Sequence, residues 1–123
     1  MSKIEKFEDL ICWQKARIPV NDIYKLTTKD SDKKDFSYKE QIRRAAISVM
    51  LNIFEGFARR SHKEFIQFLF VSHGSIAEFQ SSIYIALDHK YISEDEFENI
   101  YERCSENIKK YFWVNKIIKL ILL

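Results

Sequence analysis

Four of the chain's six arginines stand as two adjacent pairs, Arg43–Arg44 and Arg59–Arg60, in a stretch that is otherwise mostly apolar, while fourteen lysines supply the remaining cations. Where lysine is the prevailing cation, paired arginines point to the planar five-donor fork, which suits a carboxylate or a phosphate. Each target gives a different reading. In the structural one, Arg44 or Arg59 pairs with Glu55 or Glu78 across a helix or subunit boundary and fixes its register. In the functional one, Arg43 and Arg60, with the neighbouring Lys39 and Lys63, hold nucleic-acid phosphates.

Other chemistry finds less support. Glu55 and Glu78 are a conceivable carboxylate pair, but no partnered His, Gly-rich phosphate loop or metal cluster stands beside them, so no enzymatic activity and no cofactor are expected. His62, His73 and His89 share no metal-ligand spacing, and no metal is expected. Cys12 and Cys104 fall in helical apolar patterns, which reads as reduced packing residues. Tyr38, Tyr91, Tyr101 and Trp113 offer rings on which bases could stack, although aromatics at helical spacing more often belong to a core or an interface.

The elements that must position these residues are helical. Two Gly and one Pro in 123 residues leave too little turn chemistry for the corners of a sandwich or barrel, and 46% apolar residues against 31% charged are enough for a core. One domain over 1–123 is expected. A first helix is predicted over about 7–26, kinked by Pro19, followed by the polar loop 27–35. The second is predicted over 37–60. Ser61 with Glu64 and Ser93 with Glu96 are capping boxes that open the third helix, to about Lys90, and the fourth. The fourth carries the stripe Phe97, Ile100, Cys104, Ile108, Tyr111, Ile118 and Leu122, with acids at its start and bases at its end, as the macrodipole favours. The fold class is therefore all-α, an up-down-up-down four-helix bundle.

A wheel at 3.6 residues per turn gathers Gln41, Arg44, Ser48, Asn52, Glu55 and Arg59 within about 80° on one polar stripe of the second helix. To one side lie Ile42, Ala45, Ala46, Val49, Ile53 and Phe57, and to the other Ile47, Leu51, Phe54 and Ala58. A surface helix normally shows a single apolar face, so this second one needs a cover. The third helix behaves alike: its core stripe is Phe65, Phe68, Leu69, Ile76, Phe79, Ile83 and Leu87, while Ile66, Phe70, Ala77 and Tyr84 line up apart from it. Spare apolar faces on two helices predict self-association. Gly74, Ser75, Ser81 and Ser82 form a strip where another helix could approach, and Gly56, costly within a helix, implies a close contact.

EDLICWQKA near the N-terminus, EQIRRAAISVMLNIFEGFAR in the second helix and GSIAEFQ in the third resemble the signatures of the bacterial proteins encoded within intervening sequences of 23S ribosomal RNA genes. The resemblance covers nearly the whole chain. It implies a four-helix bundle assembled as a ring-like homopentamer with no established enzymatic activity, and an association with the RNA insert through genomic context. More basic relatives are accessory proteins of diversity-generating retroelements that partner a reverse transcriptase. Arg43, Arg44, Asn52, Glu55, Gly56, Arg59, Gly74, Ser75 and Glu78 match the family pattern, whereas Pro19, Phe54 and the Ser72–His73 pair depart from it.

Charge moderates the nucleic-acid reading. The net formal charge is +2, with 13 basic and 9 acidic residues in 1–60 against 7 and 9 in 61–123. A ring would repeat a weak basic patch, so binding of structured RNA by avidity is the expected function. A protein-interaction scaffold, or an accessory subunit with little RNA binding of its own, is the alternative, with the C-terminal LILL as one surface. No signal peptide or bilayer-spanning run is visible, and the expected location is cytoplasmic. Asn52, Glu55 and Arg59 are read as a polar seam setting register, with Phe70 and Tyr84 at an interface.

Overall fold

The structure is a computed structural model that describes residues 5–29 and 35–107. Its described residues form a 3₁₀ turn over Phe7–Asp9 and four α-helices: α1 (Ile11–Lys29), α2 (Phe36–Ala58), α3 (His62–Asp88) and α4 (Glu94–Asn107). The helices alternate in direction as a four-helix bundle, with α2 packed along α3, α1 on α2, and α4 on both α1 and α3. Ile108, Tyr111, Trp113, Ile118, Leu122 and the LILL segment lie outside the described residues.

The helix starts follow local chemistry. Ser61 Oγ accepts from the Glu64 N–H at 3.4 Å, but the Glu64 carboxylate turns instead toward Arg59, 3.9 Å away, so only half of that capping box forms. The Ser93 box is reciprocal: the Ser93 N–H donates to Glu96 at 2.9 Å, and the Glu96 N–H donates to Ser93 Oγ at 3.1 Å. Helix α2 starts one residue before the predicted Ser37, because Asp35 caps it, accepting from the Tyr38 N–H at 3.2 Å.

The ends of α2 and α3 come two residues earlier than predicted. Arg60 (φ 56°) and Lys90 (φ 60°) adopt the left-handed conformation that stops a helix and that usually selects glycine. At the second corner the Tyr91 N–H donates to Ala86 O at 2.8 Å and the Lys90 N–H to Leu87 O at 3.1 Å, the paired bonds of a Schellman motif. Both corners thus use a cation where glycine would relax the backbone.

The predicted first helix is corrected. The chain breaks at Leu10, whose extended backbone (ψ 120°) separates the 3₁₀ turn from α1, and the helix then runs on through Pro19 to Lys29. Leu10 is buried, so the break turns an apolar side chain inward. Pro19 removes one backbone donor and crowds the carbonyl one turn back, and α1 persists through it with Ala16 and Ile23 buried on either side.

Two buried clusters make the core. Ile42, Phe79 and Ile83 fill the end near the α3–α4 corner with Ile23, Ile100 and Cys104, and Ile53 fills the other with Leu69, Ile76 and Cys12. Fully burying each such large side chain contributes about 1.5–3 kcal/mol. Both thiols are free and desolvated, Cys12 pushed up to about 11 and Cys104 to about 12, which keeps them protonated and unreactive.

The inner stripe of α3 differs from the predicted one. Phe65, Phe68 and Leu87 are half-buried, while Ser72 and Ser75 take interior places. Small residues win there because α2 and α3 lie close together. A Cβ built on Gly56 would sit 2.7 Å from Phe68 Cβ, and no side chain fits without displacing α3. Ser72 Oγ, fully buried, donates to Val49 O at 2.8 Å, and this bond satisfies its hydroxyl.

Candidate nucleic-acid interface

The polar stripe of α2 becomes a ladder along α3. Gln41 donates to the Glu78 carboxylate at 3.2 Å, Ser48 and Ser75 share a hydroxyl hydrogen bond of 2.9 Å, and Asn52 donates to Ser48 O and Oγ at 2.8 and 2.9 Å. Arg59 closes the ladder at the corner, 3.1 Å from Glu55 and over the Phe68 ring at 5.3 Å. Ser75 is thereby drawn into contact with α2, away from the strip expected for a second helix. Gly74 stays on the outside, with nothing beyond its own stretch of helix within 4 Å of the position its Cβ would take.

Of the pairings considered for Arg44 or Arg59, Arg59 meets Glu55, within one helix, whereas inside this chain Arg44 meets Glu40 one turn earlier at 3.0 Å, in an ion pair about 70% exposed. Such a pair holds little register, since surface pairs contribute roughly 0–1 kcal/mol. Arg43 is the built-in residue. Its Nε donates to Thr27 Oγ1 at 2.8 Å, Nη2 to Thr28 Oγ1 at 3.3 Å, and the guanidinium lies 4.3 Å above the Tyr24 ring. Thr27, itself buried, donates its hydroxyl hydrogen bond to Ile23 O at 2.7 Å, which leaves its oxygen oriented to accept from Arg43.

Lys39, Arg43 and Arg44 line one groove with Tyr24, Thr27, Thr28, Phe36, Glu40 and Ile47, an open space of about 650 Å³ between the end of α1 and the start of α2. Phe36 is 68% exposed there. Arg60 and Lys63 lie at the far end of α2, about 25 Å away at 1.5 Å per residue. Arg60 Nη2 donates to Glu5 O at 3.3 Å and its guanidinium lies 4.7 Å over Phe57, while Lys63 is exposed on the first turn of α3. The four cations assigned to phosphate therefore form two separate clusters.

Of the aromatics named for stacking, the three among the described residues, Tyr38, Tyr91 and Tyr101, are engaged within the chain. Tyr91 OH donates to Asp35 Oδ2 at 2.7 Å, Tyr38 OH donates to Ser82 O, and the two rings sit 5.5 Å apart. The Tyr91 hydrogen bond and the Tyr38 N–H hold the Asp35 carboxyl below its ordinary pKa, and burial pushes the Tyr38 phenol up to about 12. Tyr101 stacks on Phe97 at 5.4 Å. The rings left at a groove are Tyr24 and Phe36, which sequence reasoning did not assign to a site; for Phe36 the available signal was an aromatic just after a helix cap and outside the apolar stripe.

A second exposed surface is apolar. Leu51 (58% exposed), Phe54 and Ala58 face out from α2, and Phe70 (61%), Val71, Ala77 and Ile85 from α3. Phe54 leans on Phe7 and Tyr84 on Phe97, ring centroids 4.8 Å apart in each case, yet both keep an outer edge in solvent. Among the described residues no group of His, Cys, Asp and Glu is placed to hold a metal ion, and no helix is long and apolar enough to cross a membrane.

The comparisons agree with this architecture. A crystal structure described as a protein with unknown function from the S23 ribosomal protein family of Bacteroides thetaiotaomicron VPI-5482 superposes with a TM-score of 0.72 at 22% identity, covering 89% of this chain and 99% of that one. At that identity the likeness shows the fold. Among curated proteins nothing matches the chain. The family model described as 23S rRNA-intervening sequence protein matches residues 8–112, the span from the 3₁₀ turn through α4 and beyond it, and the chain therefore belongs to that family.

Proposed function

We propose that the protein is a non-enzymatic helical bundle that self-associates through the outer apolar sides of α2 and α3 and binds structured RNA with cations repeated around the assembly. The observation that carries this reading is the set of large apolar side chains, Leu51, Phe54, Phe70, Val71, Tyr84 and Ile85, exposed on two neighbouring helices. Large apolar side chains left exposed along neighbouring helices are the raw material of a partner surface. A ring of five chains is the assembly proposed. It gives every face the same neighbour and multiplies the basic clusters.

Multiplication matters because one chain has little charge to offer. Arg60 supports a role for cations at the α2–α3 corner, since it occupies a left-handed position that glycine would fill with less strain. A few phosphate contacts per chain, repeated around a ring, add through avidity. The family's description names 23S rRNA, so a structured fragment of that RNA is the first probe. In a gel-shift series across salt, binding should weaken steeply as salt rises, with a log–log slope of about −0.9 per phosphate neutralised on duplex regions. Arg60→Ala with Lys63→Ala should flatten that slope and leave the particle mass unchanged. No salt-sensitive retention by the wild type would overturn the reading.

A further inference from the structure

We propose that the groove between α1 and α2 receives one unpaired nucleotide of an RNA strand, its base against Phe36 and its phosphate against Lys39, Arg43 and Arg44. The proposal rests on the RNA-binding reading above and specifies which form of RNA this groove takes.

Charge gives the first argument. Three cations and one carboxylate, Glu40, line the space, an excess of two positive charges in a chain whose whole net charge is +2. The excess suits a phosphate. Arg43 is already oriented: Thr27 and Thr28 hold its Nε and Nη2, and Tyr24 supports the guanidinium plane from one side. A cation fixed in this way loses little freedom when an anion arrives.

The aromatic residues give the second. Phe36 lies on the first turn of α2, outside both buried clusters, and exposes 68% of its surface in the groove. A base has two apolar faces and stacks on such a ring whatever its sequence. A continuous duplex keeps those faces inside its own stack, so the groove favours a loop, bulge or free end. An apolar helix from another protein is a poorer occupant, because covering the groove would desolvate Lys39, Arg43 and Arg44 without supplying anions.

The test uses the full chain with two labelled probes, a short unstructured RNA strand and the blunt duplex formed from it, read by fluorescence anisotropy. The strand is expected to bind about tenfold more tightly than the duplex, and Phe36→Ala should abolish that difference by weakening the strand alone. Phe36 is exposed, so this variant should melt with the wild type, which circular dichroism checks. Carrying 4-thiouridine, the strand should crosslink under long-wave ultraviolet to the peptide holding Tyr24 or Phe36. If the duplex binds and the strand gains nothing, or Phe36→Ala weakens both equally, the groove proposal fails while RNA binding stands. If neither probe nor structured RNA binds, both fail. A changed particle mass in Phe36→Ala would assign the groove to a second copy of the chain and overturn the proposal.

Discussion

The side of α2 that meets α3 and the side that faces away are built from similar residues and finished differently. Toward α3, Ile42 and Ile53 are fully buried, Gly56 admits the partner backbone, and Ser48, Asn52 and Ser75 bond one another. Away from it, Leu51, Phe54 and Ala58 are exposed beside an ion pair that holds little in place. The first side makes the fold of one chain. The second has the composition of an interior without a cover, which is why the proposed function begins there.

Substitutions should separate the two sides. Gly56→Val is expected to have the largest effect, because a branched side chain at a site where even Cβ would lie 2.7 Å from Phe68 Cβ must force α2 and α3 apart. Overpacking of this kind costs about 1–3 kcal/mol, and the upper end is expected in urea unfolding. Ser72→Ala removes a buried hydroxyl that bonds Val49 O and should cost about 1 kcal/mol in the same assay. On the outer side, Leu51→Glu should change the stability of an isolated chain by less than about 0.5 kcal/mol, since the site is exposed, yet lower the particle mass in sedimentation. A large loss of monomer stability in that variant would erase the distinction between the sides.

Glu55 lies between them. The polar-seam reading makes it the most sensitive acidic position on the surface, but within one chain it is 48% exposed and paired with Arg59 four residues on. Glu55→Ala should therefore cost an isolated chain only about 0.3–0.5 kcal/mol, and any larger loss should appear only in the assembled state. Thermal melts at low and high protein concentration would distinguish these. The smallest effect is expected from Asp35→Asn, which retains a good helix cap but loses the ionised carboxylate, so it should melt slightly below the wild type at neutral pH and converge with it in acid. The folded state lowers the Asp35 pKa, so its contribution is complete above the ordinary value of 3.8 and is lost as pH falls through the lowered one. The variant should show a flatter acid limb in that range.

Much of the fold was legible because helices advertise themselves locally. The serines at 61 and 93 marked two starts, the apolar spacing of α2 identified its buried side, and a glycine inside a helix implied the approach that Phe68 makes. Tertiary choices were harder. Arg43 and Arg44 differ by about 100° on the wheel, and nothing in their types says which one α1 will meet. Ser72 and Ser75 look like solvent residues until α2 lies close enough to accept from Ser72 and to share a hydroxyl hydrogen bond with Ser75. Asp35 and Tyr91, 56 positions apart, meet only once the corners are folded. The groove beside Phe36 has the same origin, since it exists only where two helix ends converge.

The central claim is that the outer sides of α2 and α3 are covered by further copies of the chain. Light scattering on the purified protein at micromolar concentration tests it most directly. The account predicts a discrete particle at an integer multiple of 14.8 kDa, with five copies the proposed number. A stable, well-behaved species at 14.8 kDa across that concentration range would contradict it.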